Sequence, residues 1–187
     1  MKYHNAKQAI IEFLSNPPSI HVQVMRQQGD IAKASTIRFL KERSVPHYQL
    51  YLVVYEAETG QQRTSICFVK QDEAGLWQLA HLTGEIEGHP PTKEERDTSQ
   101  PWVRLGSFLG RGGTPFCAGG RVIDHGFGVA QVRLIGSNGL VLEDQVEHGF
   151  VLFLTDQEIQ GPIEAELYDR SGRLVGKQVA FPAWPKP

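Results

Sequence analysis

"VAQVRLIGSNGLVLEDQVEHGFVLFLTDQEIQGPIEAELYDRSGRLV", residues 129–175, decides how the second half of this chain folds. Ala130, Val132 and Leu134 alternate with Gln131 and Arg133, which is the period-two pattern of a strand with one dry and one wet face. "FVLFL" at 150–154 is apolar throughout, as a strand buried on both faces would be. Asn138-Gly139 and the "DRSG" of 169–172 are the residues that reverse a chain between strands. Working outward, strands are expected at 116–123, 128–136, 140–147, 150–155, 163–169 and 173–181. Short strands at this spacing predict an antiparallel sandwich. The closing "PAWPKP" cannot continue a strand, and Trp184 is expected to cover an end of the core.

The first half has a different texture. Ala6, Ala9, Ile10, Phe13 and Leu14 recur at helical spacing, Asn5 can cap the start, and "NPP" at 16–18 stops the run. From Ile20 to Met25 the period becomes two and predicts a strand. "DIAKASTIRFLKERS", from Asp30, fits either period, with a strand preferred. Residues 47–84 predict a three-stranded meander turning at Thr59-Gly60 and Ala74-Gly75. Residues 85–101 are rich in Pro, Gly and charge and read as a linker or long loop. The expected fold is therefore an α+β part, one helix on an antiparallel sheet, at 1–84, followed by an all-β immunoglobulin-like sandwich at 102–187.

The run 129–175 resembles bacterial immunoglobulin-like modules, in which a strand, an NG or DG hairpin, an acidic strand and a D-x-x-G hairpin follow in that order. The helix-then-sheet first half is similar in outline to the cone folds of cystatin and nuclear transport factor 2. The resemblances imply folds, and a fold does not imply a function.

Composition narrows the classes. Charged residues make up 21% of the chain and the formal net charge is −2, with neither half basic, so the electrostatic footprint of nucleic-acid binding is missing. No apolar run approaches membrane length. Cys67 and Cys117 share no metal-like spacing and read as independent thiols of a reducing compartment, hence a cytoplasmic location, with one disulfide as the alternative.

Several groups are candidates for chemistry. "FLGRGGTPFCAGGR" at 108–121 lacks the lysine and following helix of a phosphate loop; the glycines of 110–113 are expected to make the turn into the strand at 116–123, with a small anion-binding nest beside Arg111 as the alternative. Cys117 needs a base to become a nucleophile, and His125 is the nearest in sequence. His81 and His89, with Glu85 and Glu87, are possible metal ligands in a segment whose glycines prevent a helix from aligning them. Asp124-His125 and Glu147-His148 fall at two strand ends that can meet at one edge of the sandwich. In "HYQLYLVVYEA", Tyr51, Val53 and Tyr55 share one strand face and Tyr48, Leu50, Leu52 and Val54 the other, so both faces need cover. A ligand pocket there would use His21, Arg38, Tyr51 and Tyr55.

No cofactor is called for by these residues. The reading that follows is a non-enzymatic binding or protein-interaction module, with a protein partner or self-association through edge strands or the Tyr51 face. The alternatives are a small-molecule sensor or carrier, and a hydrolase-like or metal-dependent enzyme at the junction between the halves.

Overall fold

A computed structural model of the chain describes residues 2–18, 21, 25, 31–86, 98–108 and 114–183. Those residues are β-dominated: eleven strands in three antiparallel sheets, with one α-helix whose two ends are both described. The chain divides into two compact units, Met1–His89 and Pro90–Pro187.

In the first unit, helix α1 (Ala6–Ser15) begins as the sequence dictates. The Asn5 carboxamide oxygen accepts from the N–H groups of Lys7 at 2.8 Å and Gln8 at 3.3 Å, satisfying two donors that the first turn leaves open. Strands β1 (Arg38–Val45), β2 (Tyr48–Glu56), β3 (Gln62–Gln71) and β4 (Trp77–Ile86) follow as a meander in spatial order β1-β2-β3-β4. Strand β4 thus runs two residues into the segment expected as a linker. Tyr3 extends the free edge of β4 by exchanging two backbone hydrogen bonds with Trp77, at 2.8 and 2.6 Å.

The helix lies on the sheet face that carries Tyr51, Val53, Tyr55, Cys67 and Val69, and Ala6, Ile10 and Leu14 complete one core with them. The opposite face is buried as well, at Leu50, Leu52, Ile66 and Phe68. The segment from Ile20 to Met25 corrects an expectation: its two described residues, His21 and Met25, are helical rather than extended. The reason is local, since the His21 N–H turns back to the Pro18 carbonyl at 2.7 Å. Residues before Arg38 depart from the preferred strand too, because Ala34–Thr36 form a 3-10 turn and β1 starts only afterwards.

The second unit contains β5 (Trp102–Phe108), β6 (Phe116–Ile123), β7 (Val129–Gly136), β8 (Val141–Gln145), β9 (Phe150–Thr155), β10 (Ile163–Asp169) and β11 (Leu174–Phe181). One sheet has the order β5-β6-β9 and the other β11-β10-β7-β8. Both sheets contribute to a single core, with Val103, Phe116, Ala118, Val151 and Phe153 from the first and Val132, Leu134, Ile163, Ala165, Leu167 and Phe181 from the second.

The sheets are joined along both seams by polar side chains. At one, the carboxamide of Gln178 on β11 accepts from the Val103 N–H of β5 at 2.9 Å and donates to the Val103 carbonyl at 2.8 Å. At the other, buried Asp144 on β8 accepts from the Leu152 N–H of β9 at 2.6 Å. Each bond occupies a backbone group at the edge of a sheet, a row that otherwise invites foreign strands.

Candidate functional site

The residues expected to bind a ligand are distributed over separate places. Arg38 and Tyr55 line an open cleft of about 250 Å³ together with Ser35, Thr36, Glu56 and Gln62. The 3-10 turn builds its wall: the Thr36 hydroxyl donates to the Lys33 carbonyl at 2.7 Å and accepts from the Glu56 N–H at 2.9 Å. The Glu56 carboxylate is ion-paired with Lys33. A cleft of this size and polarity can hold a small anionic or amide group but falls short of an enclosing metabolite pocket. His21 lines a second recess of about 190 Å³ with Phe13, whose ring lies 5.5 Å from the imidazole, and Tyr3, Pro18 and Gln78.

Tyr51 lines neither. It is buried in the core shared with the helix, donates its hydroxyl to the Gln49 side chain at 2.7 Å, and burial pushes its pKa up to about 12. The face expected to be open around Tyr51 is therefore the one the helix covers.

His81 lies on β4 opposite Phe68, and desolvation pushes its imidazole pKa down. His89 and Glu87 lie outside the described residues, as do Gly110–Gly113 and Trp184. Among the described residues no three His, Cys, Asp or Glu side chains cluster to hold a metal ion. Both cysteines are free and buried, and burial pushes the Cys67 thiol well above its ordinary range. Cys117 is six residues before the end of β6, roughly 20 Å along a strand, and His125 lies in the turn beyond that end. They do not form a nucleophile–base pair.

The two acidic-histidine turns do come to one end of the second unit, where the Val122 N–H donates to the Gly149 carbonyl at 2.8 Å. Their construction is that of turns. His125 and His148 have φ of 47° and 54° and each precedes a positive-φ glycine, while Asp124 accepts from the N–H groups of Gly128 and Val129.

The feature that sequence reasoning missed is the outward face of the β11-β10-β7-β8 sheet. Register places three rows across it: Val179-Glu164-Ile135-Val141, Lys177-Glu166-Arg133-Glu143 and Leu174-Tyr168-Gln131-Gln145. All the large hydrophobic side chains exposed among the described residues lie on this face: Val179 (61%), Leu174 (48%) and Val141 (45%). Between them runs a connected polar band. Lys177 bridges Glu164 at 2.9 Å and Glu166 at 3.4 Å, and Arg133 Nε lies 2.7 Å from Glu143. The Arg133 guanidinium also lies 4.7 Å over the Tyr168 ring, and the Tyr168 hydroxyl donates to Glu166 at 2.6 Å. That last bond is the main reason why Glu166 is held below the usual carboxylate range. The wet face of β7 was visible as Gln131 and Arg133, but only the pairing of β7 with β8 and β10, and of β10 with β11, shows that it belongs to a continuous surface.

No helix among the described residues is long and apolar enough to cross a membrane. Compared with protein-family models, with curated proteins and with solved structures, the chain matches none.

Proposed function

We propose that the chain is a non-catalytic protein-interaction module that makes its contact through the outward face of the β11-β10-β7-β8 sheet. The observation that carries this reading is the gathering of Val141, Leu174 and Val179, all exposed, on one sheet face beside a connected charged band. Exposed apolar groups beside an organised set of charges are suited to protein contact, because burial of the apolar groups drives association and the charges select the partner. The partner is a protein, either a different one or a second copy, rather than a nucleic acid or a membrane. The three-against-four strand order around one core supports an immunoglobulin-like sandwich for the second unit, and the helix on the meander supports an α+β first unit. Two free thiols support a reducing, cytoplasmic setting.

Photo-crosslinking in cells tests the contact surface. A benzophenone amino acid placed at Val141 or Val179 of the full chain is expected to give discrete protein adducts, whereas exposed Gln157 and Glu73 give none. Equal adducts at all four positions, or none at the two valines, would remove the reading.

A further inference from the structure

The central row of the outer face has an order that is complementary to itself. Across the sheet from β11 to β8 the signs run Lys177 positive, Glu166 negative, Arg133 positive, Glu143 negative. A two-fold axis parallel to the strands, passing between β10 and β7, turns a second copy so that its β8 faces β11 and its β7 faces β10. Lys177 then meets the second copy's Glu143, and Glu166 meets its Arg133. The two-fold repeats both pairs, so all four charges in the row meet the opposite sign. The same operation brings Val179 against the second copy's Val141, two of the three exposed large apolar side chains among the described residues.

We infer that the partner of this face is a second copy of the chain, docked face to face about that axis. The inference rests on the interaction-surface reading above and adds the occupant. Charge balance favours it: the face carries Lys177 and Arg133 against Glu143, Glu164 and Glu166, so two copies approach with almost no net repulsion. Sheet twist favours the middle row as the discriminating one, since facing sheets cross at about 30° and register is kept best near the crossing point. Three rows across four strands span roughly 14 Å by 14 Å. That is small for a specific interface, so the dimer is reversible and concentration-dependent.

Sedimentation of the full chain at low salt, from micromolar to millimolar concentration, provides the test. The unaltered chain is expected to pass from monomer to dimer. Lys177→Glu alone and Glu143→Lys alone each place two like-charge pairs in the dimer, and each is expected to weaken it by roughly tenfold. Mixed in equal amounts, the two variants restore association, because the mixed dimer contains one native pair and one reversed pair. Neither variant needs to be corrected for its own folding in that comparison, since the same molecules are measured alone and together.

A chain that stays monomeric at every concentration overturns the inference. So does a dimer that both variants form as tightly as the unaltered chain, or a mixture no tighter than its components. If the chain is monomeric while Val141 and Val179 still crosslink to a different protein, the second copy is excluded and the interaction surface stands. If both experiments fail, both readings fall.

Discussion

The buried carboxylate of Asp144 accepts a 2.6 Å hydrogen bond from the backbone N–H of Leu152, a residue on the other sheet. This bond and the Gln178–Val103 pair close the two seams of the second unit, one on each side of the core. Both attach a side chain to the main chain, so each joins the sheets without either strand having to leave its own ladder.

Replacing Asp144 with alanine leaves the Leu152 N–H without that acceptor in a buried setting. The expected cost is about 1–3 kcal/mol of unfolding free energy, measured by denaturant titration. Amide exchange at Leu152 should accelerate, while exchange in the first unit's sheet should not change.

Gln178 uses both halves of its carboxamide, and the two can be separated. Gln178→Glu retains an acceptor for the Val103 N–H but places a carboxylate against the Val103 carbonyl, so it should destabilise at neutral pH at least as much as Gln178→Ala. A glutamate variant as stable as the wild type would show that the donated bond contributes nothing.

Gly120→Ala tests close backbone approach. A Cβ at this position would lie 1.8 Å from the Arg104 carbonyl oxygen of β5, a group of the main chain that cannot swing aside. Overpacking of this kind is expected to cost about 3 kcal/mol, read as a lowered Tm. This glycine lies within β6, inside the strand expected at 116–123.

Acid should loosen the β10–β11 hairpin. Asp169 accepts from the Ser171 hydroxyl at 2.6 Å and from the Ser171 and Arg173 N–H groups, and these bonds, led by the hydroxyl, lower its pKa to about 2 from 3.8. A carboxylate with a depressed folded pKa contributes stability above its unfolded pKa and loses it as pH falls. The hairpin's contribution is therefore complete above about pH 4 and disappears toward pH 2. An NMR titration of the Asp169 carboxyl should find its midpoint near 2; a midpoint near 3.8 would mean that the bonds are absent in solution.

His125 and His148 occupy left-handed turn positions, where a β-branched residue fits badly. His148→Val is expected to cost about 1–2 kcal/mol and His148→Gly to be neutral or mildly stabilising. Chemical denaturation of the two variants separates this turn role from a chemical one, because loss of the imidazole is common to both.

What was legible in the sequence follows from how local each signal is. The strands from β6 to β11 were readable because their alternation and their turns, such as Asn138-Gly139, lie within a few residues of one another. Strand β5 was not, since "WVRLGSF" contains a glycine and a serine and acquires its place from β6 and from Gln178. His21 and Met25, the two described residues of the period-two run at 20–25, show the reverse error: both are helical, and the His21 N–H turns back to the Pro18 carbonyl. Tyr51 and Tyr55 were correctly placed on one face, but both faces of β2 are apolar, so nothing local said which one the helix would take. The outer surface of the second unit required register: Lys177, Glu166, Arg133 and Glu143 become neighbours only after four strands are aligned.

Gln178 reads both backbone groups of a single residue 75 positions earlier, much as one base reads its complement. A slip of β5 by one residue would leave it facing a carbonyl and an N–H aimed the other way, so the pair acts as an alignment mark. It also sets an order of events on the ribosome. Val103 is made 75 residues before Gln178, so this seam can be closed only after every strand between them has been synthesised.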